Sequence, residues 1–270
     1  MSDLGTLGYD AGHDARDGGA RDHGRAAAGP IPFGRLLLVE ARKMVDTRGA
    51  KVLIAILAAL TVAAIGGRGT IVGPELHRLF TTAAVGYGTL LPAIAILAVT
   101  GEWTHRSVMT TFTLEPRRGR VLAARCLPPL LATLVAVLFA LAVAVVATVV
   151  TAQVQGVPAE WNLAPLTLLG WTAANVLTIA MALAFGMLLV NPAAAITCFF
   201  VFGTLWTMAG NLNETARAVA EWVDLSTALG PLSAGDMTWY DAARLATATV
   251  CCVVIPMAVG VVRALRAEVR

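Results

Sequence analysis

Charge is scarce in this chain: 14% of its 270 residues are charged, against roughly a quarter in a soluble domain. With 57% hydrophobic residues it is too apolar to fold as a water-soluble globule. Lysine is almost missing, present only as Lys43 and Lys51, and neither follows a Gly-x-x-x-x-Gly run, so no P-loop for ATP exists here. From Leu163 to Gly210 there is no charged residue at all, and the interiors of the other apolar runs are equally free of Asp, Glu, Lys, Arg and His. Ion-coupled transporters and intramembrane enzymes keep ionisable groups at membrane depth, so both classes are disfavoured. The first thirty residues lack the apolar stretch of about 7 to 15 residues that a signal peptide needs. The four cysteines, Cys126, Cys198, Cys251 and Cys252, have no metal-ligand spacing; no metal site is expected, and they read as small packing residues.

What is present is long apolar runs and arginine. A bilayer core of about 30 Å takes about 20 apolar residues per helix. Runs near that length give spans at about 52–66, 81–100, 127–151 and 242–262. The uncharged stretch Leu163 to Gly210 would reach about 70 Å as one helix, so it divides in two, at 163–190 and 192–210, with Asn191-Pro192 as the break. The fold class expected is therefore an all-α polytopic membrane protein with six transmembrane helices.

Basic residues orient it. On the six-span layout eight precede the first span, five lie in the loop from Gly101 to Cys126, and three follow the last span, against Arg68, Arg78, Arg217 and Arg244 on the other side. Basic residues in short loops resist translocation, so both termini are expected in the cytoplasm. The dominance of arginine over lysine, with abundant Ala, Val and Gly, points to a GC-rich bacterial genome of actinobacterial type.

Residues 1–30 are rich in Gly, Asp, Arg and Ala and hold too few large apolar side chains to offset ordering entropy, so a disordered cytoplasmic tail precedes the membrane domain 31–270. His13 and His23 there read as solvated rather than as ligands. From Phe33 to Lys51 the pattern is helical, with Arg35, Arg42 and Asp46 on one side, Lys43 nearby, and Phe33, Leu37, Ala41 and Met44 opposite. An amphipathic helix in the membrane interface is expected, either a simple anchor for the first span or also a border to a cytoplasmic partner. Gly66-Gly67-Arg68-Gly69 is expected to end span one, Pro92 to kink span two, and Pro128-Pro129 to open span three. Asn175 in span four suits an interhelical hydrogen bond, and is the candidate pathway residue. Between spans five and six, Glu214, Arg217, Glu221 and Asp224 share a helical spacing that predicts a short helix at the outer surface.

The loop between spans two and three is the one long charged segment, with Glu102 and Glu115 among five arginines. Its order is Gly101-Glu102-Trp103-Thr104-His105-Arg106, a Thr-rich turn, Glu115-Pro116-Arg117-Arg118-Gly119-Arg120 and then Ala124-Arg125. This pattern, together with Glu40 to Arg48 before the first span and the six-span layout, resembles the permease subunits of type-2 ABC exporters. The resemblance implies a membrane subunit that forms a translocation pathway with a second permease chain, identical or a paralogue. A separate ABC ATP-binding subunit, carrying ATP and magnesium, would drive it, with no cofactor bound by this chain and no nucleic acid involved. It also implies re-entrant helices between spans five and six, with Gly230-Pro231 as the turn between them. The ATPase would couple through Glu102, Arg106, Glu115, Pro116, Arg117, Arg118 and Arg120, helped by a short helix from Thr104 to Phe112. Two plainer readings stand beside this: the loop arginines only orient the chain and touch lipid phosphate, or the chain is a non-transporting scaffold or sensor that docks a cytoplasmic protein on the same loop. The implied location is the bacterial plasma membrane.

Overall fold

The computed structural model describes residues 32–104 and 118–266, and their side chains except at 102–104 and 118. Among the described residues the chain is helical apart from turns and one isolated β-bridge between Glu75 and Glu160. Five helices are long and apolar enough to cross a membrane, or six if one bent pair counts as a single span. The architecture is that of an all-α polytopic membrane protein.

Helix α1 spans Phe33–Asp46, and α2 follows at Arg48–Val72. The expected single helix to Lys51 is broken at Thr47, which turns extended and accepts a hydrogen bond from the Ala50 amide at 3.2 Å, so capping replaces continuation. Helix α2 also runs straight through the Gly-rich segment expected to stop it, ending at Gly73 with φ 85°. In an apolar medium a freed amide has no water to bond, so glycine is a weaker stop signal there than in a soluble helix.

The segment expected as the second span is three pieces, α3 (Leu76–Thr81), α4 (Ala84–Tyr87) and α5 (Leu90–Thr104), bent by 41°. The bend sits at Gly88-Thr89 rather than at Pro92, because Pro92 falls in the first turn of α5, where its missing amide costs nothing. Helix α6, Arg118–Gln155, contains Pro128-Pro129 in its interior instead of starting there. At 38 residues it is about 57 Å long, nearly twice the hydrocarbon thickness.

Helix α7 (Pro165–Leu189) is the most buried element and packs against α5, α6, the following helix α8 (Pro192–Gly210) and two later helices. The turn into α8 lies at Asn191-Pro192 as expected. Val190 is held in the left-handed region at φ 54°, a costly place for a β-branched residue, and Asn191 caps α8 by accepting from the Ala194 amide at 3.1 Å.

Helices α9 (Glu214–Val223) and α10 (Leu225–Ala234) form the short pair after α8. Their break is at Asp224, not at Gly230-Pro231, which sits inside α10. Asp224, 2% exposed, accepts from the amides of Ser226 and Thr227 and from the Thr227 hydroxyl at 2.6 Å, a cap strong enough to fix where α10 starts. Helix α11 (Trp239–Thr249), a π turn at Val250–Val254 and α12 (Ile255–Arg266) make one continuous last span. The π turn precedes Pro256, which has no amide to give.

Two glycines set how closely this bundle packs. A Cβ on Gly170 of α7 would lie 1.9 Å from the Leu232 carbonyl oxygen of α10, and one on Gly260 of α12 would lie 2.7 Å from the Met187 backbone of α7. Backbone meets backbone at both ends of α7. Between them Trp171 stacks at a tilt on Phe80 (4.6 Å between ring centres) and Tyr87 (5.6 Å), seating the broken second span on α7.

Candidate functional site

Two places gather chemistry, one at the end of the bundle that holds α1, the other beside α7 towards the opposite end. At the first, Glu40 points from α1 into the contact with α6 and is 7% exposed. Its Oε2 lies 3.9 Å from Nε of Arg125, itself 3% exposed, and its Oε1 accepts from Lys43 Nζ at 2.8 Å. A charge taken out of water costs several kcal/mol unless compensated, and Arg125 and Lys43 stand where they offset that cost. The N-terminal helix is thus not simply laid on a surface; it is tied to the base of the helix that leaves the charged loop.

The rest of α1 matches expectation more closely. Arg42 is 84% exposed and its Nε meets Asp46 Oδ2 at 3.3 Å, with Lys51 Nζ 3.4 Å from the other oxygen. The hydrogen bond from Arg42, then that from Lys51, holds the Asp46 carboxyl below its ordinary pKa of 3.8. Arg35 is exposed. Leu38 (71%) and Val45 (45%) are exposed as well, leaving α1 with apolar surface to offer.

Of the residues expected to couple to an ATPase, Arg106, Glu115, Pro116 and Arg117 lie outside the described residues, as does the short helix expected at Thr104 to Phe112 beyond Thr104, which ends α5. Glu102 lies in the last turn of α5, which ends at Thr104, and Arg118 begins α6, so both stand beside that segment. Arg120 is half-buried on the first turn of α6. The chain therefore brings Arg120 and Arg125 onto one helix and closes α1 over it through Glu40.

Glu40 was missed by the sequence reading, yet a signal existed. At 100° per residue it falls about 140° from Arg35, beside Phe33 and Met44 on the apolar side of α1. An acid on that side needs a partner, and Arg125 supplies one from 85 positions away.

The second place is a cavity of about 510 Å³ walled by α7, α8 and α10 and reaching Gly88 at the break of the second span. Asn175 lines it, together with Trp171 and Thr178 of α7, Phe200, Thr204 and Thr207 of α8, and Ser226 and Leu229 of α10. No charged side chain does. The polar groups are also partly spent: Asn175 Nδ2 donates to the Trp171 carbonyl at 2.8 Å, and the hydroxyls of Thr178, Thr204 and Thr207 donate to carbonyls one turn back on their own helices. Asn175 was expected to bond across helices; it bonds within its own. What remains to the cavity is the second Asn175 N–H, the Ser226 hydroxyl, acceptor lone pairs and aromatic faces, a lining for an uncharged, amphipathic guest.

At the opposite end of the last span, Arg244 pairs with Glu221 of α9 and lies over the Tyr240 ring at 5.1 Å. Glu221 also meets Arg217 at 3.5 Å, so the expected charged side of α9 forms, with Asp224 diverted to capping. No family model, no curated protein and no solved structure matches this chain.

Proposed function

We propose that this chain is the membrane-spanning subunit of an ATP-binding cassette exporter in a bacterial plasma membrane, with both termini cytoplasmic. Two such subunits, identical or paralogous, form the pathway, and a separate ATPase that holds ATP and magnesium drives it from the cytoplasm.

The observation that carries this reading is the buried Glu40–Arg125 contact. A subunit that receives force from a partner needs a stiff element where the partner docks, and a helix tied to the base of the span leaving the charged loop is such an element. The loop itself, with its seven charged residues between Glu102 and Arg125, supplies the docking chemistry: arginine forks suit bidentate contacts to acidic groups. The uncharged cavity beside Asn175 suits a guest moved without ion coupling.

The test is co-purification and transport. The purified chain alone is expected to hydrolyse no ATP, and a complex with an ATP-binding cassette ATPase from the same cell is expected to hydrolyse ATP and drive efflux from vesicles. Glu102→Ala, or Arg117→Ala with Arg118→Ala, should lower efflux more than membrane abundance. A complex that binds the ATPase but moves nothing would make the chain a docking scaffold, and efflux that only tracks abundance would reduce the loop to an orientation signal.

A further inference from the structure

Four basic residues stand at the end of the bundle away from α1, and two of them, Arg217 and Arg244, are explained by Glu221. The other two come together. Arg68 near the end of α2 and Arg78 of α3 line a cleft of about 440 Å³ with His77, Thr81, Thr82 and Val85. No carboxylate lines it. Glu75 meets Nε of Arg78 at 2.8 Å, engaging one of the five N–H donors of that guanidinium, while Arg68 makes no ion pair among the described residues. Set against Glu75, the two arginines leave one uncompensated positive charge beside the cleft.

Its remaining chemistry is directional. The Thr81 hydroxyl donates to the His77 carbonyl at 2.9 Å and the Thr82 hydroxyl to the Arg78 carbonyl at 2.7 Å, so both oxygens turn lone pairs outward. The donors left for a guest are the guanidinium groups and the His77 ring. One lining side chain is apolar and uncovered, Val85 at 62% exposed; outside the cleft, nearly one turn beyond Arg68 on α2, Ile71 is 78% exposed. Guanidinium groups beside uncovered aliphatic side chains at the end of a spanning helix is the arrangement of a hydrocarbon–water boundary.

We propose that this cleft binds the headgroup of an anionic phospholipid. Arg68 and Arg78 take the phosphate oxygens, the two threonine oxygens accept from headgroup hydroxyls, and the acyl chains run past Val85. One net positive charge matches the single charge of a phosphodiester. A soluble anion would gain nothing from the uncovered side chains of Val85 in the cleft and Ile71 at the same helix end, which is why a lipid is the better occupant. The site stands or falls independently of the exporter reading, since it needs only a helix end at a membrane surface.

Native mass spectrometry of the purified full chain in detergent tests this, with phosphatidylglycerol, phosphatidylcholine and inorganic phosphate as the probes. Phosphatidylglycerol should bind in preference to phosphatidylcholine, and millimolar phosphate should not displace it. Arg68→Gln with Arg78→Gln should weaken phosphatidylglycerol binding roughly tenfold, corresponding to about 1.4 kcal/mol, and leave phosphatidylcholine unchanged. Arg217→Gln, a charge removed at the same end but outside the cleft, should change nothing. Should the double variant fold poorly, Arg68→Gln alone, at an exposed position, carries the same expectation in weaker form. Equal binding of the two lipids, undiminished phosphatidylglycerol binding by the arginine variants, or displacement by free phosphate would each overturn the proposal.

Discussion

The Glu40 carboxylate of α1 lies 3.9 Å from the Arg125 guanidinium of α6, and both side chains are almost wholly withdrawn from solvent. Charges so placed attract strongly but are costly to bury, so removing one partner matters more than the pair is worth in sum. Lys43, half exposed at 46%, adds a second contact at 2.8 Å and links the buried pair to solvent. The relationship fixes the register of α1 on α6, because a slip of one residue along α1 would put Val39 or Ala41 opposite the arginine.

Glu40→Ala is therefore expected to destabilise the chain by about 3 kcal/mol, seen as a lowered unfolding midpoint in detergent. The double change Glu40→Met with Arg125→Met should recover most of that loss, since an apolar pair of similar size fills the contact without stranding a charge. A double variant no better than the single would show that the stability comes from packing of α1 alone.

Gly170→Ala puts a methyl 1.9 Å from the Leu232 carbonyl oxygen, a backbone atom, so one helix must shift to admit it. A loss of about 1 to 3 kcal/mol is expected, with α10 lifted from α7. Gly203→Ala, whose nearest neighbour would be the Ser226 hydroxyl at 3.8 Å, is the matched control and should be tolerated. Thermal scans of the two side by side read the difference.

Asn175→Leu removes a side chain whose amide bonds only to its own helix, at the Trp171 carbonyl, so stability should change by no more than about 1 kcal/mol. The cavity loses its one amide group and gains bulk. On the proposed exporter reading, efflux should fall, or change in substrate preference, at unchanged abundance. Transport identical to the parent would take the cavity out of the pathway.

Topology is checked by single-cysteine labelling in a background freed of Cys126, Cys198, Cys251 and Cys252. Val157→Cys and Leu212→Cys, both exposed positions, should react with an impermeant reagent from outside, and Gly34→Cys only after the cells are opened. Outside reaction at Gly34 would invert the chain.

The all-helical build of long apolar segments and the Asn191-Pro192 turn were legible because both rest on length and on charge that is missing, signals that depend on the bilayer rather than on neighbours. The punctuation was less legible. Gly66 to Gly69 and Pro128-Pro129 are stops in water-exposed helices, yet both lie within helices here, where ending the hydrogen-bond ladder would leave backbone groups with no partner. Gly230-Pro231 lost to Asp224 for a related reason: three donors converge on one carboxylate, a local cap stronger than a turn preference. The Glu40–Arg125 contact joins positions too distant for any periodicity to pair, and the cavity beside Asn175 arises from three helices whose separation the sequence does not encode locally.

The length of α6 has a mechanical consequence. Between Arg118 and Pro129 it extends about 16 Å as an unbroken helix, so the double proline stands at the fulcrum of an arm. A tilt of about 10° at that fulcrum sweeps the Arg118 end through about 3 Å, and Arg125, partway along the arm, carries Glu40 and with it α1 through a smaller arc. On the proposed reading, motion delivered at the loop would be geared down as it enters the bundle, with α1 drawn along as a follower.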